Sequence, residues 1–324
     1  MQTPARRRAL RSLALVAVLA GCVRKPEPML RIGTNVWIGS EPLYLARDLG
    51  RIDPKVVQLV EYPSASEVLR AYRNEAIDGM VISLDELLGL RAEGMQPRII
   101  AVADVSDGAD VVVARAGIGS MQGLAGRPIA VESGAVGAYV LSRALALSEM
   151  TVGDVTVVHL DSNEHLAAFE QGRVDAAVTF DPFRTRLLAA GAETIFDSTR
   201  IPGEIVDLIA VRASSLTRHA LAIQVLLRGW FDAIDHVRRD PADAARRMSV
   251  RQQASQESFL QGLGQIRLPT RADNIRMLAG AAPELLDTGG KLKALMQEAR
   301  LLHGDGDVDI AALLAPGPVM ALPP

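Results

Sequence analysis

The run Leu30-Arg31-Ile32-Gly33-Thr34-Asn35-Val36-Trp37-Ile38-Gly39-Ser40-Glu41-Pro42-Leu43-Tyr44-Leu45-Ala46-Arg47-Asp48-Leu49-Gly50 decides the fold. Apolar side chains alternate through residues 30–34, which is the period of a strand. From Leu43 they fall at helical spacing until Gly50, a residue suited to stopping a helix. A loop of small residues joins the two. Ser40 is placed to cap the helix, Pro42 suits its first turn, and the first-turn N–H groups carry the positive end of the helix dipole, so an anionic group can rest there. Trp37 offers a flat apolar wall beside that pole, or else packs in the core of an ordinary strand-to-helix turn.

The same alternation extends outward from this run. A strand is expected over 56–62, a helix over 64–74 capped by Ser64 or Ser66, a strand over 79–82, a helix over 84–93 closed by Gly94, and a strand over 98–102. Strands separated by helices mean βαβ units and mostly parallel pairing. A second series begins at Ala109-Asp110-Val111-Val112-Val113-Ala114 and runs through strands at 129–131, 155–160 and 176–179, with helices at 137–149, 163–171 and 183–190. At an offset of 97 residues Ile32 falls on Ile129, Asp78 on Asp175, Val81 on Val178 and Gly94 on Gly191, so the two series read as structural copies. Beyond the apolar strand 205–211 the pattern becomes helical, over 216–238, 242–248, 256–263, 270–278 and 285–303.

The expected architecture is therefore α/β with two lobes: residues 30–107 and 201–303 in lobe 1, its second part helical, and 108–200 in lobe 2. The chain is expected to cross between lobes near Val105-Ser106-Asp107-Gly108 and Ser198-Thr199-Arg200-Ile201-Pro202-Gly203, both rich in turn-forming residues. Residues 304–324, ending in Ala315-Pro316-Gly317-Pro318 and beyond, read as a loose tail.

Charge narrows the function. The formal net charge is −3, but Arg6, Arg7, Arg8 and Arg11 lie in the first 21 residues with no acid among them. Without those four, 31 basic residues face 38 acidic ones. Nucleic acid is a poor partner for such a chain, because phosphate binding needs a basic face. The five histidines (His159, His165, His219, His236, His303) have no mutual ligand spacing, so no metal is expected. No cofactor motif appears either, and the absence of a P-loop, a Gly-x-Ser-x-Gly element or a free thiol leaves no catalytic constellation to assign.

Residues 1–21 read as a signal peptide, with a basic start and an apolar stretch at 13–20 too short to span a bilayer. Leu19-Ala20-Gly21-Cys22 resembles the bacterial lipobox, with Cys22 as the lipidated residue. As the single cysteine, Cys22 has no intramolecular disulfide partner. Residues 22–29 then form a short tether.

In parallel α/β sheets, ligands sit beyond the carboxyl ends of strands, against helix N-termini. Four such places can be read from the sequence: Trp37-Ile38-Gly39-Ser40, Ser83-Leu84-Asp85-Glu86, Glu132-Ser133-Gly134-Ala135-Val136-Gly137 and Phe180-Asp181-Pro182. The candidate ligand-binding residues are Trp37, Gly39, Ser40, Ser83, Asp85, Ser133, Gly134, Ala135, Val136, Asp181 and Asp207. Asp85 could instead be a first-turn acid, and Asp181 only a helix cap. Asp207 stands inside an apolar strand, where a carboxylate needs a partner or a cleft to face. Several acids on one site imply a ligand with an amine or other cationic group, alone or beside an anionic one.

Taken in order, these motifs resemble the substrate-binding proteins of bacterial ABC importers, in the nitrate, sulfonate, taurine and thiamine-precursor group with the type II periplasmic-binding-protein fold. The resemblance covers roughly residues 30–280. It is carried by Trp37-Ile38-Gly39-Ser40-Glu41-Pro42-Leu43-Tyr44-Leu45-Ala46, by Asp78-Gly79 with Ser83-Leu84-Asp85-Glu86, by Gly123-Leu124-Ala125-Gly126-Arg127-Pro128-Ile129-Ala130-Val131-Glu132, and by Val174-Asp175-Ala176-Ala177-Val178 through Asp181-Pro182-Phe183. It implies a monomeric, lipid-anchored periplasmic protein that closes two lobes on a small polar ligand (zwitterionic, sulfonate-, nitrate- or pyrimidine-like) and delivers it to permease and ATPase subunits. A ligand-sensing module for a membrane kinase or cyclase has the same fold and is the alternative. The superfamily's pyrimidine-synthesis enzymes carry a cysteine-rich motif that is missing here, so no enzymatic activity is expected.

Overall fold

The computed structural model describes residues 27–304, 306 and 308–323. The expected signal peptide, Cys22 and the first part of the tether lie outside the described residues. Among the described residues no helix is long and apolar enough to cross a membrane.

The chain begins β1 (Leu30–Asn35), α1 (Glu41–Asp48), β2 (Val57–Tyr62), α2 (Ala65–Arg73), β3 (Gly79–Ser83), α3 (Leu84–Ala92), β4 (Pro97–Ser106). It continues with β5 (Val111–Arg115), β6 (Pro128–Val131), α4 (Val136–Ala146), β7 (Thr156–His159), α5 (His165–Glu170), β8 (Ala176–Thr179), α6 (Phe183–Ala189) and β9 (Ala192–Asp197). Then come β10 (Val206–Arg212), α7 (Ser215–Arg218), α8 (Ala220–Arg239), α9 (Pro241–Arg251), α10 (Gln256–Leu263), β11 (Ile266–Arg267), α11 (Arg271–Leu278), α12 (Glu284–Glu298) and α13 (Gly317–Met320).

Two sheets result, a six-stranded one in the order β11-β4-β10-β3-β1-β2 and a five-stranded one in the order β7-β6-β8-β5-β9. Strands β1 to β3 and β6 to β8 pair in parallel, as βαβ crossovers require. β10 and β5 run antiparallel to both of their neighbours, and β11 to β4, so the sheets are mixed. The 97-residue offset is retained in the register: Ile32 pairs with Gly79 as Ile129 pairs with Ala176. The core around the first sheet includes the fully buried Trp230 of α8, and separate apolar clusters cover the two faces of the second.

Two segments join the sheets side by side. Ser106 and Ser198 share a hydroxyl hydrogen bond of 2.8 Å, the Gly108 N–H donates to Ser198 Oγ at 2.7 Å, and the Ser106 N–H donates to the Ile205 carbonyl at 3.1 Å. Gly108 adopts φ +102°, a conformation open to glycine, with the Ser198 bond holding its N–H.

The expected loose tail is packed. Leu313, Val319 and Leu322 are buried, the Ala315 N–H donates to the Ile99 carbonyl at 2.9 Å, and Leu314 bridges Ile99 beside β4. Its proline and glycine signalled a chain ending, but the apolar residues spaced between them reach an uncovered stretch of the first sheet. The end of the tether is also held: Glu27 accepts from the Leu221 N–H at 3.0 Å, and the Pro28 carbonyl meets His219 Nδ1 at 2.9 Å.

Candidate ligand-binding cleft

A cavity opens between the two sheets. Its walls come from Asn35, Trp37, Ala65, Val81, Ile82, Ser83, Glu86 and Asp207 on the first side, and from Asp110, Glu132, Ala135, Val136, Ser162, Val178, Thr179 and Phe180 on the second. The space open to the centre of a water-sized molecule is about 30 Å³. That is room for roughly two or three waters, so in this conformation the cleft is nearly closed.

Trp37 lies on this wall with its indole 5% exposed. Its Nε1–H donates to Asp104 Oδ2 at 3.1 Å, and its ring meets Phe180 of the opposite sheet edge to face, with centroids 5.3 Å apart. Gly39 lies behind it. A Cβ there would come 1.9 Å from Asp104 Oδ2 and 2.3 Å from Trp37 Nε1, so only glycine lets that hydrogen bond pass.

Of the residues expected from sequence, Trp37, Ser83, Ala135, Val136 and Asp207 line this cavity. Others do not. Ser40 is buried beneath it, and its hydroxyl makes no cap to α1, because residues 38–40 coil into a 3₁₀ turn that gives Ser40 helical backbone angles. Asp85 and Gly134 face a neighbouring recess of about 120 Å³ with Arg73, Tyr139 and His303. Glu86, the next residue of α3, lines both this recess and the cavity. Ser133 is exposed and bonded to His159. Asp181 accepts from the Thr185 N–H (3.1 Å) and hydroxyl (2.7 Å) at the start of α6, so it serves as a helix cap beside a separate cavity of about 170 Å³.

The polar groups that do line the cleft fall into two sets. Glu86 and Glu132 are satisfied, each by a helix N-terminus on the other side. Glu86 accepts from the Ser83 N–H (2.9 Å) and, across the cleft, from the first N–H of α4 at Val136 (3.3 Å). Glu132 accepts from the Ser66 N–H in the first turn of α2 (2.7 Å) and from the Ser162 hydroxyl. A third contact crosses nearby: Ser64, the cap of α2, donates to Asp161 at 3.0 Å, and these two positions are 97 residues apart.

The second set is unsatisfied. Asp110 Oδ2, Ser83 Oγ and Thr179 Oγ1 have no hydrogen-bond partner, at exposures of 4%, 2% and 1%. Asp207 lies in register between Ser83 on β3 and Asp104 on β4, so hydroxyl, carboxylate and carboxylate stand side by side on three strands. Burial raises five acids in and beside the cleft. Asp110 is pushed up to about 6, and Asp104 to about 7 with the charge of Asp110 adding to burial. Asp85 rises to about 6 and Glu86 to about 8, the latter by burial and then by the Asp85 charge. Asp207 is raised well above the usual carboxylate range by burial and by the charges of Asp104 and Asp110. Among the described residues no lysine, arginine or histidine lines the cavity.

Asp104, Asp110 and Thr179 escape the sequence reading. Each acid interrupts an apolar strand segment, Ala101-Val102-Ala103-Asp104-Val105 or Ala109-Asp110-Val111-Val112, and that is the signal that singles out Asp207.

Residues 24–251 match the model of the NMT1-like family. The chain belongs to that family. A curated Escherichia coli (strain K12) relative named for aliphatic-sulfonate binding is 26% identical over 199 residues, 59% of this chain and 61% of the relative's length. The alkanesulfonate-binding protein SsuA from Xanthomonas axonopodis pv. citri, solved bound to MOPS, superposes with a TM-score of 0.73 at 19% identity, covering 87% of this chain and 96% of that one. The desulfurization enzyme DSZB superposes at 0.65 with 16% identity, covering 90% and 97%. The NMT1-like chain thus has the periplasmic-binding-protein fold, a fold that hosts both binding proteins and an enzyme. Its own cleft combines aromatic walls with unpaired acids.

Proposed function

We propose that this NMT1-like protein is the solute-binding component of an ABC importer, tethered through lipidated Cys22 outside the cytoplasmic membrane, and that it closes its two lobes on a small polar ligand. The observation that carries this reading is the inter-sheet cavity, walled from both sides and lined by the buried Ser83 and Thr179 hydroxyls and one Asp110 carboxylate oxygen with no partner in the protein. Buried polar groups are otherwise hydrogen-bonded, so such a set marks a place where a ligand completes the bonding. The paired crossing segments at 105–110 and 198–206 supply a hinge of two adjacent strands, and the Ser64, Glu86 and Glu132 contacts supply the closed state. The family and the sulfonate-binding relatives support import.

Native mass spectrometry of the full chain, gently extracted in mild detergent, tests the reading directly: a co-purifying small molecule is expected, and its release unchanged excludes turnover. Metabolic labelling with palmitate, lost in Cys22→Ala, tests the anchor. A Trp37 fluorescence change on ligand addition, absent in Trp37→Phe while Trp230 still emits, locates the ligand. Absence of any bound molecule, together with no fluorescence response to small sulfonates, cations or pyrimidines, would refute the receptor reading.

A further inference from the structure

Taking the cleft as a receptor site, we propose that its ligand is a small organic cation bearing N–H donors, held by Asp110 and Asp207 against Trp37 and Phe180, and that sulfonates and nitrate are excluded.

The helix N-termini that face the cleft are where an anionic group would rest, since first-turn N–H groups and the helix dipole favour negative charge. Here one first-turn N–H of each of α2 and α4 is already engaged by the protein's own acid side chains. Glu132 accepts from the first turn of α2, and Glu86 from the first N–H of α4. A sulfonate entering the cavity would have to displace a buried carboxylate from its donors and then sit beside Asp110 and Asp207 with no arginine, lysine or histidine lining the site. Like charges in so dry a place repel strongly.

What the cavity leaves unmet are acceptors. Asp110 Oδ2 has no donor, and the Asp207 carboxyl stands in register beside Asp104, whose Oδ1 also has no partner. Thr179 Oγ1 and Ser83 Oγ, also without partners, can accept a further N–H. A cation set between these groups would receive charge-assisted hydrogen bonds, and the indole and Phe180 rings would face its apolar or delocalised part. Among the described residues no three acids or histidines are grouped closely enough to hold a metal ion, which favours an organic cation. The small free volume limits the ligand in this conformation to a handful of non-hydrogen atoms.

The test is a binding panel on the full chain in mild detergent at pH 8 and low salt, read by calorimetry and thermal shift. The probes are guanidinium, acetamidinium and ethylammonium as cations, methanesulfonate, ethanesulfonate and nitrate as anions, and pyrimidine as a neutral ring. At least one cation is expected to bind, with affinity falling about tenfold or more in Asp110→Asn and in Asp207→Asn, each loss being worth at least one charge-assisted bond. The anions are expected to give no heat and no shift. Binding of a sulfonate or nitrate but no cation overturns this inference while leaving the receptor reading intact. Binding of pyrimidine alone overturns it in the same way. Silence from the entire panel overturns it, and if native mass spectrometry also finds no ligand, the receptor reading falls with it. Because the wild-type panel decides the sign of the ligand charge, the outcome stands even if one variant fails to fold.

Discussion

Replacing Asp110 by asparagine isolates one buried carboxylate. Asp110 is 4% exposed, one of its oxygens has no partner, and burial moves its protonation from 3.8 to about 6. The folded state therefore holds this proton more tightly than the unfolded chain, so stability from this group is complete below pH 4 and is lost as pH rises through about 6. A shift of roughly two units corresponds to about 3 kcal/mol. Between pH 4.5 and pH 8 this group alone should weaken the ligand-free wild type by about 2 kcal/mol, a loss absent from Asp110→Asn, while the loss from the neighbouring acids is common to both proteins. At pH 4.5 the variant should match wild type or fall short by about 1 kcal/mol, since the new amide N–H groups also lack partners. At pH 8 it should be the more stable protein. For a chain of this size about 2 kcal/mol is worth roughly 3 °C in Tm. The neighbours Asp85, Asp104, Asp207 and Glu86 are each raised in the same direction, and removing one charge relieves the others. Differential scanning calorimetry at pH 4.5, 6 and 8 measures the gap between variant and wild type. A gap that stays constant across that range would refute the assignment of Asp110 as a buried, ligand-awaiting carboxylate.

Trp37 is as much a packing residue as a cleft wall. Trp37→Ala should cost about 3–5 kcal/mol of stability by urea titration, whereas Trp37→Phe should cost about 1–3 kcal/mol, the larger value above pH 7, where Asp104 loses its indole donor while ionised. Gly39→Ala should abolish ligand response and sharply lower soluble yield, since its Cβ would stand 1.9 Å from Asp104 Oδ2; a variant with native Tm would contradict this. Ending the chain at residue 303 removes the buried Leu313, Val319 and Leu322 and should destabilise by several kcal/mol, at about 1.5–3 kcal/mol per side chain, visible as lowered Tm. Glu132→Gln should shift the solution ensemble toward more open lobes, read as an increased radius of gyration by small-angle X-ray scattering; an unchanged radius would show that this carboxylate contributes nothing to closure.

The fold was legible because its signals are local. Alternation marks β1, helical spacing marks α1, and the 97-residue offset between Ile32 and Ile129 reappears as equivalent strand pairing. The site was legible only to the level of loops. Strand ends pointed to Trp37, Ser83, Ala135 and Val136, which line the cavity, while Asp85 lines the neighbouring recess that Glu86 also reaches. Asp181 looked like a ligand residue and became a cap because Thr185 stands one turn ahead of it. Ser40 lost its cap role to a 3₁₀ turn whose backbone angles no residue type dictates. Asp104 and Asp110 bore the same mark as Asp207, an acid in an apolar strand, and differ only in lying near a crossing segment that reads as a linker. The tail misled in the opposite sense, since its Pro and Gly residues define turns, and turns say nothing about whether the intervening Leu313 and Val319 find a surface.

If the cleft takes a cation as proposed, the crossed carboxylates would join ligand charge to lobe closure. A helix N-terminus contributes up to about 2 kcal/mol to a nearby partly buried anion, and the benefit vanishes when the carboxylate is protonated. Glu86 is pushed up to about 8, so near neutrality much of it is protonated in the empty cleft, and its bond to the Val136 N–H loses its charge. A cation bound beside Asp110 and Asp207 would lower the pKa of each surrounding acid and return Glu86 to its ionised form. The contact across the lobes then strengthens because the ligand is present, though the ligand never touches the Val136 N–H. An anionic ligand would act in the reverse sense, raising Glu86 further and loosening the same contact. On the proposed reading the arrangement would discriminate twice, first by direct charge in the cavity and again by whether the occupant strengthens or weakens the bonds that hold the two sides together.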